Sequence, residues 1–312
     1  MNLFVSLKYL VALDDHRHFG RAALACHVTQ PALSNALRAL EESYGTAIVN
    51  RGRSFGGFTA EGERILASAR RMLREQELLE QDLRSRADEP VGHLLIGAVP
   101  TAVPIAARFA ARLQARHPGI RPSVRSMSSV ELEARLEELA LDMGLGYAER
   151  SEGSRAPLKL VPQYDEHYFL LRKAADPQVP GLRMALPMRW SDAAELPLCL
   201  LSPEMHNRSI VDRAFKAAGA SATAAIETNS ILTLGLSVLA GNVCSIMPGT
   251  LVGAVQGYAG LEAVPLMAPQ VQVPVAFMVH DSNLPSRTLA AALVMAQEAD
   301  WLQQARQHAC AG

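Results

Sequence analysis

The chain has 312 residues, 49% of them hydrophobic and 20% charged, with a formal net charge of -1 at neutral pH. That length asks for two or three folding units, because single cores stop growing at about 100 to 200 residues, and the composition excludes a disordered tail or a fibre. Cys26, Cys199, Cys244 and Cys310 show no CxxC or Cys/His ligand spacing, which argues against a zinc site or a disulfide scaffold and suits a reducing cytoplasm.

The near-neutral total hides an asymmetry. Residues 1 to 74 hold ten Lys and Arg against six Asp and Glu, a local excess that hints at an anionic partner although a solvated surface gives similar numbers. The opening MNLFVSLKYLVAL resembles a short signal core, but Lys8 interrupts it, Asp14 and Asp15 follow, and no small-residue cleavage site appears. Leu3, Leu7, Leu10 and Val11 instead share one face of a first helix. A short Ala-rich helix over Phe19 to Ala25 follows, a break at His27 to Thr29, and a second helical pattern with Thr29 as its cap and Pro31 in its first turn.

In that helix Leu33, Leu37, Leu40 and Tyr44 form one apolar stripe, while Gln30, Ser34, Asn35 and Arg38 line the opposite face. Short polar groups with one Arg at the front of an exposed helix suit hydrogen bonding to base edges plus a phosphate clamp, and they equally suit an ordinary solvated face. The next stretch tips the balance: Ile48 to Phe58 reads as a Gly-turned hairpin with Arg51 and Arg53 close together, which completes a winged helix-turn-helix.

The segments Phe19-Gly20-Arg21-Ala22-Ala23, Val28-Thr29-Gln30-Pro31-Ala32-Leu33-Ser34, Leu40-Glu41, Tyr44-Gly45 and Arg51 followed by Phe58-Thr59 resemble the N-terminal domain of LysR-type transcriptional regulators. The chain departs from that pattern at Ile48-Val49-Asn50 and at Asn35, which bears on base preference and not on fold. The resemblance implies that Gln30, Pro31, Ser34 and Arg38 approach the major groove, with Thr29 and Asn35 beside them, and that Arg51 and Arg53 hold the flanking backbone.

Thr59 can cap a long helix reaching about Ala87, a rod of roughly 40 Å. Ile65, Ala69, Met72, Gln76, Leu79 and Leu83 alternate spacings of four and three, the average of a two-helix seam, so the expected use is a homodimer; packing on its own domain is the alternative. Asp88-Glu89-Pro90 reads as a hinge.

Residues 93 to 147 alternate as strand, helix, strand, helix, strand, a βαβαβ unit. Leu198 to Leu201, Ile210 to Ala218, Ala224 to Glu227, Ile231 to Ala240 and Val243 to Met247 suggest a second. Val273 to Val279 and a helix from Ser286 return to the first. The uncharged run between Glu227 and Glu262 is cut by Gly235, Gly241, Pro248 and Gly253 into pieces too short for a bilayer. The two lobes resemble the effector domain of the same family, itself similar to periplasmic solute-binding proteins.

The expected architecture is therefore a winged helix-turn-helix (1–58), a linker helix for dimerisation (59–89) and a two-lobed α/β effector domain (90–312), with lobe 1 at about 90–161 and 267–312 and lobe 2 at about 162–266. In such lobes ligands bind beyond the strand ends, where helix N-termini offer N–H groups. Pro100 and Thr101, Ser128 and Ser129, and Asn229 and Ser230 mark three such junctions, each of which could be a plain N-cap. The resemblance gathers them around one cleft with Leu201, His206 and Pro248.

Small hydroxyls and few aromatics point to a small organic effector, an anion, and to no other cofactor or metal. No GxSxG, HExxH, GxxxxGK[ST] or GxGxxG is present, and Cys199 and Cys244 read as buried thiols. The expected protein is a cytoplasmic, ligand-responsive transcriptional regulator and not an enzyme. Its partners are double-stranded operator DNA and a second copy of itself, with tetramers through the effector domains, RNA polymerase left open as a further partner, and no membrane. A small-molecule receptor or an enzyme built on the two lobes is the alternative.

Overall fold

The structure, a computed structural model, describes residues 2–51, 55–85, 89–153, 158–174, 181–281 and 285–309. It divides into a unit over residues 1–86 and a second that takes in almost all of 87–312.

In the first unit α1 (Leu3–His16), α2 (Phe19–Ala25) and α3 (Gln30–Tyr44) precede a two-stranded wing, β1 (Val49–Arg51) and β2 (Phe55–Phe58), and then α4 (Ala60–Arg84). Its core joins Leu7, Leu10 and Leu13 of α1 to Leu33, Leu37 and Leu40 of α3, with Ile48, Phe58, Leu66 and Ala69. Each fully buried Leu is worth about 1.5–3 kcal/mol, so α1 and α3 are fixed by their inward stripes. Two stripe assignments need correction. Leu13 and not Leu3 completes the inner face of α1, and Tyr44 is exposed at the last position of α3 because the chain turns away at the left-handed Gly45.

Thr59 caps α4, accepting from the Gly62 N–H at 2.9 Å and donating to the Ala47 carbonyl at 2.6 Å. The helix stops at Arg84 with Ser85 as its C-cap; Ala87, its expected end, and Asp88, the first residue of the expected hinge, lie outside the described residues. The expected seam divides in two. Ile65 and Ala69 belong to the core of their own unit, whereas Met72, Leu79 and Leu83 stand exposed. Packing within the unit claims the first turns because α4 crosses α1 there, held by Arg70 to Asp14 and Asp15 at 2.7 and 2.9 Å.

At Gly62 a Cβ would lie 2.1 Å from the Ile48 carbonyl oxygen. Gly62→Ala should therefore destabilise the unit by about 1–2 kcal/mol, since the backbone clash outweighs the roughly 1 kcal/mol gained in helix propensity. A fall in the denaturant midpoint at unchanged slope is the expected readout.

The second unit contains β3 (Gly92–Ala98), α5 (Val103–Arg116), β4 (Ile120–Ser126), α6 (Ser129–Glu137), β5 (Met143–Tyr147) and β6 (Leu158–Lys173). Then come β7 (Arg183–Met184), β8 (Met188–Arg189), α7 (Trp190–Ala194), β9 (Leu198–Leu201), α8 (His206–Ala217), β10 (Ala224–Thr228), α9 (Ile231–Ala240), β11 (Cys244–Pro248) and α10 (Gly249–Ala254). The chain ends with β12 (Leu261–Met267), β13 (Gln272–His280), α11 (Arg287–Ala296) and α12 (Ala299–Ala309). The main sheet runs β10-β9-β11-β6-β13-β5-β3-β4, with β12 also on β6.

One strand serves both lobes. From Leu158 to His167, β6 pairs antiparallel with β13; from Tyr168 onward it pairs with β11 and β12. Pairing therefore changes lobe between His167 and Tyr168, six residues beyond the expected 161. The middle of the strand carries Pro162, Gln163, Asp165 and Glu166, which break the period-two pattern by which strands are read. Buried Gln163 finds partners across the fold, accepting from Trp301 Nε1 at 2.6 Å and donating to the Ala296 carbonyl at 3.1 Å. Among the described residues no helix is long and apolar enough to cross a membrane.

Candidate nucleic-acid interface and effector cleft

Thr29 accepts from the Ala32 N–H at 3.4 Å and starts α3, with Pro31 in the first turn. Because the Leu33, Leu37 and Leu40 side chains occupy the inner face, Thr29, Gln30, Pro31, Asn35 and Arg38 are exposed and Ser34 is half-buried. Arg38 donates from Nη1 to Asn35 Oδ1 at 2.9 Å, so the departure at Asn35 orients the neighbouring guanidinium. Arg51 lies on β1, but its side chain and the whole of Arg53 are outside the described residues.

Three further groups set the wing against the helix. Glu41 Oε1 accepts from the N–H of Ile48 at 2.9 Å and of Val49 at 3.2 Å. Asn50 Nδ2 donates to the Phe58 carbonyl at 2.9 Å across the hairpin, which gives a reason for Asn in the departing Ile48-Val49-Asn50. Arg17, in a left-handed conformation, stacks its guanidinium 5.9 Å from the ring centroids of both Phe55 and Phe58. Glu41 carried a signal only as part of the family resemblance; Arg17 carried none.

In the second unit Pro100, Thr101, Ser128, Ser129 and His206 do come together, around a crevice shared with Val99, Tyr147, Met205 and Asn207. It encloses only about 10 Å³, room for roughly one water. Leu201, Asn229, Ser230 and Pro248 do not line it. Leu201 is buried in β9, Pro248 pairs with Tyr168, Ser230 caps α9 by accepting from the Thr233 N–H, and Asn229 is exposed. These strand ends and caps are used up by the lobe's own backbone. Ser128 also caps its helix, accepting from the Glu131 N–H at 3.2 Å.

Thr101 is buried and its hydroxyl meets Tyr147 Oη at 2.8 Å. Asn207 donates to Tyr147 Oη at 3.1 Å and to Tyr168 Oη at 2.9 Å, so a continuous polar chain ties lobe 1 to α8 of lobe 2. Burial holds both tyrosines above their ordinary pKa. At the mouth, Arg150 grips Glu133 with Nε at 2.5 Å and Nη2 at 3.1 Å. Glu149 from lobe 1 meets His206 Nε2 at 3.2 Å and Arg213 at 3.3 Å. Burial lowers the His206 pKa, Glu149 opposing and Arg150 adding to the effect. Tyr147, Asn207 and Glu149 were not read from sequence because their partners lie about 40 to 60 positions away, and Arg150 because its partner Glu133 stands 17 positions back on another element.

A family model described as the LysR substrate binding domain matches residues 87–301, and one described as a bacterial regulatory helix-turn-helix protein, lysR family, matches residues 4–63. The chain belongs to the LysR family. Among curated LysR relatives, the DNA-binding transcriptional dual regulator OxyR of Escherichia coli strain K12 is 42% identical over 95 residues, 30% of this chain and 31% of that protein. The hydrogen peroxide-inducible genes activator of Pectobacterium carotovorum is 42% identical over the same length, covering 32% of its sequence. These alignments thus span about a third of the curated relatives. Full-length OxyR from Pseudomonas aeruginosa superposes with a TM-score of 0.70 at 24% identity over 94% of this chain and 97% of that one. CbnR, described as a LysR family transcriptional regulator, gives 0.67 at 20% over 97% and 98%. At such identities they show the fold: a helix-turn-helix unit followed by a two-lobed α/β domain.

Proposed function

We propose that this LysR-family chain is a ligand-responsive, DNA-binding transcriptional regulator. The observation that carries the reading is the outer face of α3, where Gln30, Pro31, Ser34, Asn35 and Arg38 stand free of the core beside a wing tied to the same helix through Glu41. Such a face fits the major groove of double-stranded operator DNA, with wing arginines 51 and 53 on the backbone. Residues 1–58 would be the DNA-binding domain, 59–89 the dimerisation segment and 90–312 the effector domain. The partners are a second copy through α4, further copies through the effector domains, and RNA polymerase at the promoter. A DNA partner and a bacterial helix-turn-helix family support a cytoplasmic location.

The effector site is the crevice at Pro100, Thr101, Ser128, Ser129 and His206, admitting a small organic molecule when the lobes part. The expected anion would take its hydrogen bonds from the turn at Thr101 and the start of α6. Its charge would have to compete with Glu133 and Glu149, because the nearby Arg150 and Arg213 are already paired with them. Relatives matched over 95 residues are named for hydrogen peroxide. In this chain burial raises the thiols of Cys26, Cys199 and Cys244, the reverse of what a peroxide-reactive thiolate needs, so binding of a molecule fits these residues better than thiol oxidation.

The purified chain should shift a duplex from its own upstream region. Ser34→Ala should relax base preference at one position of each half-site, and Arg38→Ala should weaken all sequences alike and lower the salt slope by about one. Unchanged affinity in both variants would take α3 out of the interface.

A further inference from the structure

Glu166 is fully buried on β6, two residues before the strand changes lobe. Its Oε1 lies 2.9 Å from Thr250 Oγ1, and the same Thr250 Oγ1 lies 2.8 Å from the Thr101 carbonyl oxygen. Thr250 is the second residue of α10, directly after the lobe 2 strand β11, and Thr101 sits in the turn after the lobe 1 strand β3. A threonine hydroxyl has one hydrogen and cannot donate to both oxygens.

A neutral carboxyl resolves the conflict. Its O–H donates to Thr250 Oγ1, and Thr250 donates onward to Thr101. An ionised carboxylate instead claims the Thr250 hydrogen, since charge-assisted bonds are the stronger, and the bond to Thr101 is lost. We propose that the effector domain also senses protons: Glu166, acting through Thr250, makes the hydrogen bond that joins the lobes at Thr101 conditional on its own protonation. The consequence for DNA binding rests on the regulator reading above; the switch itself does not.

The surroundings favour the neutral form. Burial pushes Glu166 up to about 8, with only the Thr250 side-chain and backbone bonds pulling the other way. Tyr147 from β5 and Tyr164 and Tyr168 from β6 face it, all held protonated chiefly by burial, so none supplies a positive charge. On α12, packed against α10, burial and Arg108 hold His308 below its ordinary value, so near about pH 8, where Glu166 would ionise, it supplies no countercharge. Among the described residues Glu166 Oε2 and Tyr164 Oη have no hydrogen-bond partner, and an ionised Oε2 would stand uncompensated there.

The sign follows. A glutamate opened to water loses its proton near 4.5, whereas the buried one keeps it to about 8. Closure takes up a proton in that window and weakens as pH rises across it.

Amide hydrogen exchange on the full chain at pH 6 and pH 9, corrected for intrinsic rates, tests this at residues 99–105 and 248–254. Wild-type protection should fall by about two- to tenfold at the higher pH, the usual worth of one net hydrogen bond. Glu166→Gln, whose amide donates to Thr250, should stay protected at both, Thr250→Ser should respond like wild type, and Thr250→Val should be weakly protected at both. Infrared spectra should show a protonated carboxyl band in the wild type at pH 6 that Glu166→Gln lacks. No pH response in the wild type, an equal response in Glu166→Gln, or no such band overturns the proposal. None of these readouts involves DNA, so failure of the regulator reading would appear separately, in the duplex-shift assay.

Discussion

Leu79→Lys should reduce self-association by about a hundredfold or more and carry operator binding down with it. Leu79 is 60% exposed and Leu83 78% exposed on the second half of α4, an arrangement that costs solubility unless a partner covers it. If a second copy packs along that face, each buried leucine contributes about 1.5–3 kcal/mol, and the substitution acts twice, once per chain. It also brings two ammonium groups to one seam, where like charges oppose. The combined loss of roughly 3–6 kcal/mol corresponds to two to four decades in the dimer constant. Leu66→Ala is the contrast: Leu66 faces the core of its own unit, so that change should lower stability and leave association per folded chain intact. Sedimentation over a concentration series separates the two, and an unchanged assembly in Leu79→Lys would move the interface off α4.

How the seam divides explains what the sequence could and could not tell. Leu33, Leu37 and Leu40 were legible because helix period and burial coincide on α3. On α4 the same period runs past the point where burial within the unit ends. Ile65 and Met72 therefore look alike in sequence, although one packs inside and the other is exposed. In the effector domain, β9 and α9 fall where the pattern put them, since each is an uninterrupted apolar run or stripe. The crossover β6 did not show itself, its middle being polar for reasons that lie on other elements: Gln163 serves Trp301, and Glu166 serves Thr250.

The candidate cleft was half legible by the same logic. Pro100, Thr101, Ser128 and Ser129 could be placed because they stand at strand-to-helix junctions, a local feature. Ser230 stands at such a junction too, where it caps its helix and lies away from the crevice. What distinguishes Thr101 is Tyr147, whose hydroxyl it meets and which lies 46 positions away.

Asn207 is the member of that network on which the others depend. Its Nδ2 reaches both Tyr147 and Tyr168, and it is itself buried, so Asn207→Leu keeps the branched heavy-atom framework while withdrawing both donated hydrogen bonds. Tyr147 would retain Thr101; Tyr168 would lose the hydrogen bond that Asn207 donates to its buried hydroxyl. Leaving buried hydroxyls short of donors costs about 1–3 kcal/mol each, and the expected loss is about 2–4 kcal/mol in the effector domain, seen as a lower unfolding midpoint. The variant should still bind operator DNA when folded, because the α3 face belongs to the other unit, but its response to effector should be lost, since the link between Thr101 and α8 passes through this side chain. Asn207→Asp makes the sharper control: its neutral form donates one hydrogen bond and can accept the other, whereas its ionised form buries a charge, so it should recover part of the response at acidic pH and lose it toward neutrality. If Asn207→Leu responds to effector as the wild type does, the polar chain across the crevice is structural support and the signal crosses between the lobes elsewhere.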